Sequence, residues 1–238
     1  MTAEQNRRDF IALAAGVTFA AAATDALAQQ AGGPKPEYAI KKLPVDPARV
    51  KGLSEKLLQS HWENNYSGAV KRLNAISAQL ASLDFATAPV FVVNGLKREE
   101  LIAANSMIIH ELYFDCLGGE GEPKGALAEQ LTRDFGSTAR WKAEFVAVGK
   151  ALGGGSGWVL LTWSPHDKRL VNSWAADHTM TLANGRPVLA MDMYEHAYAI
   201  DYGAAAGKYI DAFFQNINWD EVNRRFERAE KATASLHA

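Results

Sequence analysis

At 238 residues, with 48% apolar and 22% charged side chains, the chain is an ordinary globular one, long enough for one or two compact units. A formal net charge of -2 offers no basic field for nucleic acid, and no apolar run beyond the N-terminus reaches the length of a membrane span. The single cysteine, Cys116, excludes an intramolecular disulfide, and its apolar surroundings predict a buried thiol in a helix.

Residues 1–28 read as an export signal. Arg7-Arg8-Asp9-Phe10-Ile11 precedes a modest apolar run from Ile11 to Ala23, then Ala26-Leu27-Ala28, the small-x-small pattern before a cleavage site. The paired arginines with Phe10 and Ile11 fit the twin-arginine route, and a general secretory signal that carries two arginines is the other reading. Twin-arginine substrates fold before export, which suits a metal loaded in the cytoplasm. The expected destination is the periplasm or the exterior, free of the membrane once the signal is cleaved. Residues 29–51, with Pro34, Pro36, Pro44 and Pro47, read as an extended leader with no core of its own, and structure is expected to start near Gly52.

From Leu53 to about Leu83 the residues Leu53, Leu57, Leu58, Ala69, Leu73, Ile76 and Leu80 recur mostly at three- and four-residue steps. The spacing predicts a long amphipathic helix with a kink near Gly68, and His61 lies on or beside its apolar stripe. A second helix, about Lys97 to Leu117, opens on Glu99 and Glu100, carries Leu101, Ala104, Ile108, Leu112 and Cys116, and stops at Gly118-Gly119. His110 falls in its apolar half. A connection of about thirteen residues lets the two helices pair as an antiparallel hairpin. Ser137 is a fitting N-cap for a helix over Thr138 to Leu152. Three strand-like segments follow, Trp158 to Trp163, Leu170 to Trp174 and Pro187 to Met191, the first two joined by a turn at Ser164-Pro165-His166-Asp167. The remainder is helical and ends on the charged stretch Glu221 to Lys231.

Asp192 stands at the end of the third strand segment, and a helical turn after it would bring Asp192 and His196 onto one face. Such a pair also occurs as solvated helix neighbours, and a lone histidine on an apolar face is commonly a hydrogen-bonded core residue. Taken together, however, His61, His110, Asp192 and His196 offer three neutral nitrogens and one carboxylate oxygen. That mixture suits a first-row metal such as iron, manganese, cobalt or zinc rather than calcium, and the lack of a cysteine ligand argues against structural zinc. One added solvent would complete five-coordination and could supply protons to a redox reaction.

The stretch Asp192-Met193-Tyr194-Glu195-His196-Ala197-Tyr198, with Asn218-Trp219 downstream, resembles the C-terminal signature of the iron/manganese superoxide dismutase family. Upstream, the run His61-Trp62-Glu63-Asn64-Asn65-Tyr66-Ser67-Gly68-Ala69-Val70-Lys71-Arg72-Leu73-Asn74 looks like that family's first-ligand helix. Gly121-Glu122-Pro123 and Asp134-Phe135-Gly136-Ser137 are similar to its linker and next helix start, and Gly155-Ser156-Gly157-Trp158 resembles the run that opens its sheet. The matching covers nearly all of Gly52 to Phe226. It implies an α+β fold: a helical hairpin domain (52–120), then an α/β domain (121–238) with a three-stranded antiparallel sheet, and the metal between the two. It further implies one iron or manganese ion per chain on His61, His110, Asp192 and His196, and superoxide as substrate. The implied assembly is a homodimer or higher homo-oligomer in which Glu195 makes a two-fold contact.

The chain also departs from the family's pattern. Ala69 stands where the family carries a channel tyrosine, Asn65 replaces a histidine, and Ala199 replaces the tyrosine that meets that histidine across the dimer. Tyr194 stands where a tryptophan usually packs against the metal. Paired change at positions 65 and 199 implies a rebuilt channel. Tyr66 is expected either to supply the missing phenol or to pack between helices. His178, in Ala176-Asp177-His178-Thr179, looks like the histidine that some members set against the metal-bound solvent, where it tunes the potential. Lys71 and Arg72 offer positive charge to a small anion, or a solvated helix face. The expected activity is superoxide dismutation, and the rival is a non-catalytic or redox-altered metal-binding protein on the same fold.

Overall fold

The computed structural model describes residues 37–236, so the expected signal (1–28) and the first part of the leader lie outside the described residues. Order begins before Gly52. Tyr38 exchanges two hydrogen bonds of 2.9 Å with the Asn74 side chain, and the Lys41 N–H donates to the Tyr66 hydroxyl at 2.9 Å. A 3-10 turn at Pro47–Arg49, capped by Asp46, then delivers Val50 into the core.

The first long helical rod has three parts: α1 (Glu55–Ser60), a π turn (His61–Tyr66) and α2 (Ser67–Ser82). The irregularity expected at Gly68 lies instead at His61–Tyr66. There the Ser67 N–H bonds the Trp62 carbonyl five residues back, and a π turn takes up more residues than an α turn. The burial pattern records it: the rod's buried positions step by five from His61 to Tyr66 but by three or four between Leu58 and His61 and along α2. Gly68 itself sits in regular helix with open space where a Cβ would be.

Helix α3 (Val90–Asp115) starts earlier than expected, directly after Pro89, whose ring fits a helix entry. The connection therefore shrinks to residues 83–89. Arg72 meets Glu99 and Tyr66 meets Glu111, so α2 and α3 run antiparallel, as the hairpin reading required. Glu99 and Glu100, read as the first turn, lie well inside the helix.

Beyond the hairpin come α4 (Gly125–Phe135), not anticipated, and α5 (Thr138–Leu152), whose first turn is capped by the Ser137 hydroxyl. Strand β1 (Trp158–Ser164) is buried throughout and forms the middle of an antiparallel sheet, with β2 (Arg169–Ala175) on one side and β3 (Arg186–Asp192) on the other. Helices α6 (Ala199–Tyr202), α7 (Ala206–Phe214) and α8 (Trp219–Leu236) complete the chain. The last helix begins two residues before the expected Glu221, with the Asn218 side chain accepting the Glu221 N–H.

One apolar core runs from Leu57, Leu58 and Tyr113 through β1 to Phe213 and Phe226. Each fully buried Leu or Phe contributes about 1.5–3 kcal/mol, so this core is the main term holding α3 against β3. Cys116, at the end of α3, is buried, and burial pushes its thiol up to about 12. Among the described residues no helix is long and apolar enough to cross a membrane.

Candidate metal centre

Each of the two units contributes two of the four chemistry-bearing side chains. His61 opens the π turn, His110 lies on α3, Asp192 ends β3, and His196 is the middle residue of a 3-10 turn, Glu195–Ala197. The backbone after Asp192 leaves the strand and enters that turn rather than an α-helix, and the contact from Asp192 to His196 forms all the same.

The end of β3 is held firmly. Asp192 pairs with Trp158 across the sheet, and the Gly157 carbonyl accepts the Met193 N–H at 2.9 Å. Gly157 has a φ of 137°, and a Cβ there would stand 2.1 Å from the Ala175 oxygen, so only glycine lets β1 begin here. The Tyr194 N–H donates to Asp192 Oδ1 at 2.8 Å, which turns Oδ2 toward the histidines. Around that single oxygen lie His61 Nε2 at 3.0 Å, His196 Nε2 at 3.1 Å and His110 Nε2 at 3.5 Å. The four ligand atoms all lie within 4.8 Å of one another. Asp192, His61 and His110 are buried, and His196 is partly open.

The hydrogen bonds say what this cluster can hold. His110 Nδ1 donates to the Ser106 carbonyl, one turn back, at 2.7 Å. A carbonyl only accepts, so the neutral ring carries its proton on Nδ1 and leaves Nε2 a bare lone pair, buried and without a hydrogen-bond partner. Burial pushes His110 down to about 3, with the neighbouring His61 adding to the shift, and burial lowers His61 as well. Neither ring takes a proton near neutrality. Burial alone would raise the Asp192 carboxyl, but the His196 and His61 imidazoles outweigh it and hold the group far below the carboxylate range. The His110 lone pair faces the buried Asp192 carboxylate at 3.5 Å, an arrangement that repels unless a cation lies between them. The donor set therefore fits one first-row transition-metal ion.

A cavity of about 230 Å³ reaches this cluster from between the first rod and α3, touching His110, His178 and His196 at its inner end, Asn65 of the π turn, and Ala69 and Arg72 of α2. His178 accepts the Trp158 indole N–H on Nδ1 at 3.0 Å. Because an indole only donates, neutral His178 carries its own proton on Nε2. The Tyr194 ring stacks between His178 (4.8 Å between centroids, 14°) and His196 (5.2 Å, 14°). Tyr66 does not face the cavity. Its hydroxyl takes the Lys41 N–H and donates to Glu111 Oε1 at 3.1 Å. Glu195 and Ala199 are exposed on the surface beside His196. Sequence reasoning missed Ser106 and Trp158 as holders of His110 and His178. Any residue one turn before a helical histidine offers the same carbonyl, so no side chain announced the first, and nothing local announced the second.

Residues 123–225 match the family model "Iron/manganese superoxide dismutases, C-terminal domain". The chain is 67% identical over 192 residues to an iron superoxide dismutase of Cupriavidus metallidurans, an alignment covering 81% of this chain and 98% of the relative. The chain belongs to the iron/manganese superoxide dismutase family. An iron superoxide dismutase of Aquifex pyrophilus is 38% identical over 200 residues (81% of this chain, 92% of the relative). A manganese superoxide dismutase of Halobacterium salinarum is 35% identical over 197 residues (81% and 96%). Relatives named for either metal, together with the cluster of three histidines and one aspartate, support one iron or manganese ion per chain in this member of the superoxide dismutase family.

Proposed function

We propose that the chain is a superoxide dismutase whose iron or manganese ion is held by His61, His110, Asp192 and His196. The observation that carries this reading is the convergence of those four donor atoms at the inner end of a solvent-open cavity, in a family whose named relatives are superoxide dismutases. When bound, the ion supplies a one-electron couple, so that one superoxide is oxidised to oxygen and a second, with one electron and two protons, is reduced to hydrogen peroxide. The residues prepare that chemistry. The Asp192 carboxylate lowers the net charge of the centre, and the Ser106 carbonyl keeps the His110 lone pair inward. Trp158 leaves the His178 Nε2–H free to donate into the cavity, and Tyr194 keeps the His178 and His196 rings parallel.

The test is dismutation by the mature protein with bound metal quantified in the same sample and a His110→Ala control. Turnover proportional to iron or manganese and absent from the control is expected. Full occupancy without turnover would leave the rival, a non-catalytic or redox-altered metal binder. One observation favours that rival: Ala69 leaves the cavity without a phenol, and Tyr66 is tied elsewhere.

Export and assembly belong to the same reading. Arg7-Arg8-Asp9-Phe10-Ile11 supports passage through the twin-arginine route to the periplasm or exterior with the metal already loaded. Replacing Arg7 and Arg8 by lysine should strand the protein in the cytoplasm, and unchanged export would favour the general secretory route. The exposed Glu195 beside His196 supports a two-fold contact in a homodimer. Glu195→Ala should shift the protein toward monomer in sedimentation, and an undisturbed dimer would remove Glu195 from the interface.

A further inference from the structure

We propose that Arg72 selects the anionic substrate at the mouth of the cavity and that Glu99, from the facing helix, sets how much positive charge Arg72 presents. This rests on the dismutase reading. Lys71 and Arg72 look equivalent in the sequence, yet only Arg72 borders the cavity. The other residues around the cavity are asparagines, small or aliphatic residues, one serine and the imidazoles of His110, His178 and His196. Among the described residues no carboxylate lines it, so Arg72 is its one permanent charge.

The placement is graded. The Arg72 side chain is 55% exposed, whereas His110 at the inner end is buried, which sets the guanidinium at the solvent end. A single charge at a narrow entrance between low-dielectric walls focuses the field along the path an incoming ion takes. Superoxide is a monovalent anion, while oxygen and hydrogen peroxide are neutral. Arg72 thus attracts the substrate and has no hold on the products.

Glu99 complicates that charge. It crosses from α3 to pair with Arg72, and Arg98 Nη1 approaches the same carboxylate at 3.4 Å. The guanidinium is therefore partly neutralised at rest. Removing the carboxylate should strengthen the attraction for anions, and removing the guanidinium should abolish it.

The experiment uses the metal-loaded protein with azide as a small monovalent anion, titrated by its visible absorption change, alongside the ionic-strength dependence of kcat/KM. Arg72→Gln should raise the azide Kd and lower kcat/KM by about threefold to tenfold each and flatten the salt dependence. Arg72→Lys should keep most of both, and Glu99→Gln should move both the opposite way. Metal content and melting temperature should hold in all three, because an exposed ion pair contributes little to stability. Wild-type azide affinity and salt slope in Arg72→Gln would overturn the proposal, as would Glu99→Gln moving in the same direction as Arg72→Gln. Absence of turnover in the loaded wild type would defeat the dismutase reading instead, and the azide titration would still decide the role of Arg72.

Discussion

His110 spends one ring nitrogen on the Ser106 carbonyl, and that bond determines what the other nitrogen can do. The same logic governs His178, whose tautomer is set by the Trp158 indole. His178→Ala should leave metal content intact and shift the reduction potential of the loaded protein, and loss of metal would make His178 a ligand. Trp158→Phe should shift the potential the same way while costing about 1–3 kcal/mol of stability for the space left in the core. Tyr66 behaves differently. Its hydroxyl joins the leader to α3, so Tyr66→Phe should leave turnover unchanged, at high superoxide too, and cost about 1 kcal/mol in denaturant unfolding. Slowed turnover at normal stability would return Tyr66 to the channel. The identities of the clustered residues were legible because His61, His110, Asp192 and His196 each stand in a recognisable local setting. The two tautomers were not, since they depend on contacts made only after folding.

At the scale of elements, the π turn is the device that aims His61. A residue added to or removed from a helix rotates the downstream residues by about 100°. Deleting Asn64, an exposed residue of the turn, should let His61–Tyr66 revert to α geometry and swing His61 out of line with the α2 stripe. The expected outcome is normal helical circular dichroism with metal binding lost, and retained metal would show that the rod adjusts elsewhere. Strands β1 and β3 were plain in the sequence as short apolar runs, and Ser137 announced α5. Helix α4 left a signal that went unread, Leu127, Leu131 and Phe135 at four-residue steps behind Pro123. The position of the π turn was not legible in the same way. Glycine drew the kink to Gly68, whereas the actual signal was a missing beat in the apolar rhythm between Leu58 and Ala69.

For the whole molecule, burial of the histidines ties stability to pH. In the metal-free protein His61 and His110 have their pKa values lowered from 6.5, His110 to about 3, so below 6.5 the unfolded chain takes up protons that the folded chain refuses. Stability must therefore fall as pH drops from 6.5 toward 3. At pH 5 the His110 contribution to that loss is about 2 kcal/mol. Asp192 acts in a lower window: its carboxyl is depressed, so its contribution is present above its unfolded value near 3.9 and is lost below it. Denaturant midpoints of the metal-free protein should decline between pH 7 and pH 5, and His110→Gln should reduce the slope. A flat profile would mean that the folded state accepts these protons. The division of donors between the two units has a further consequence, for the topology of the chain. An ion bridging positions 61 and 196 acts as a removable cross-link that closes a loop of more than half the chain, much as a disulfide would in a protein with cysteines to spare. Unlike a disulfide, this closure needs no oxidising compartment. The large loop is then sealed or released according to the supply of free metal.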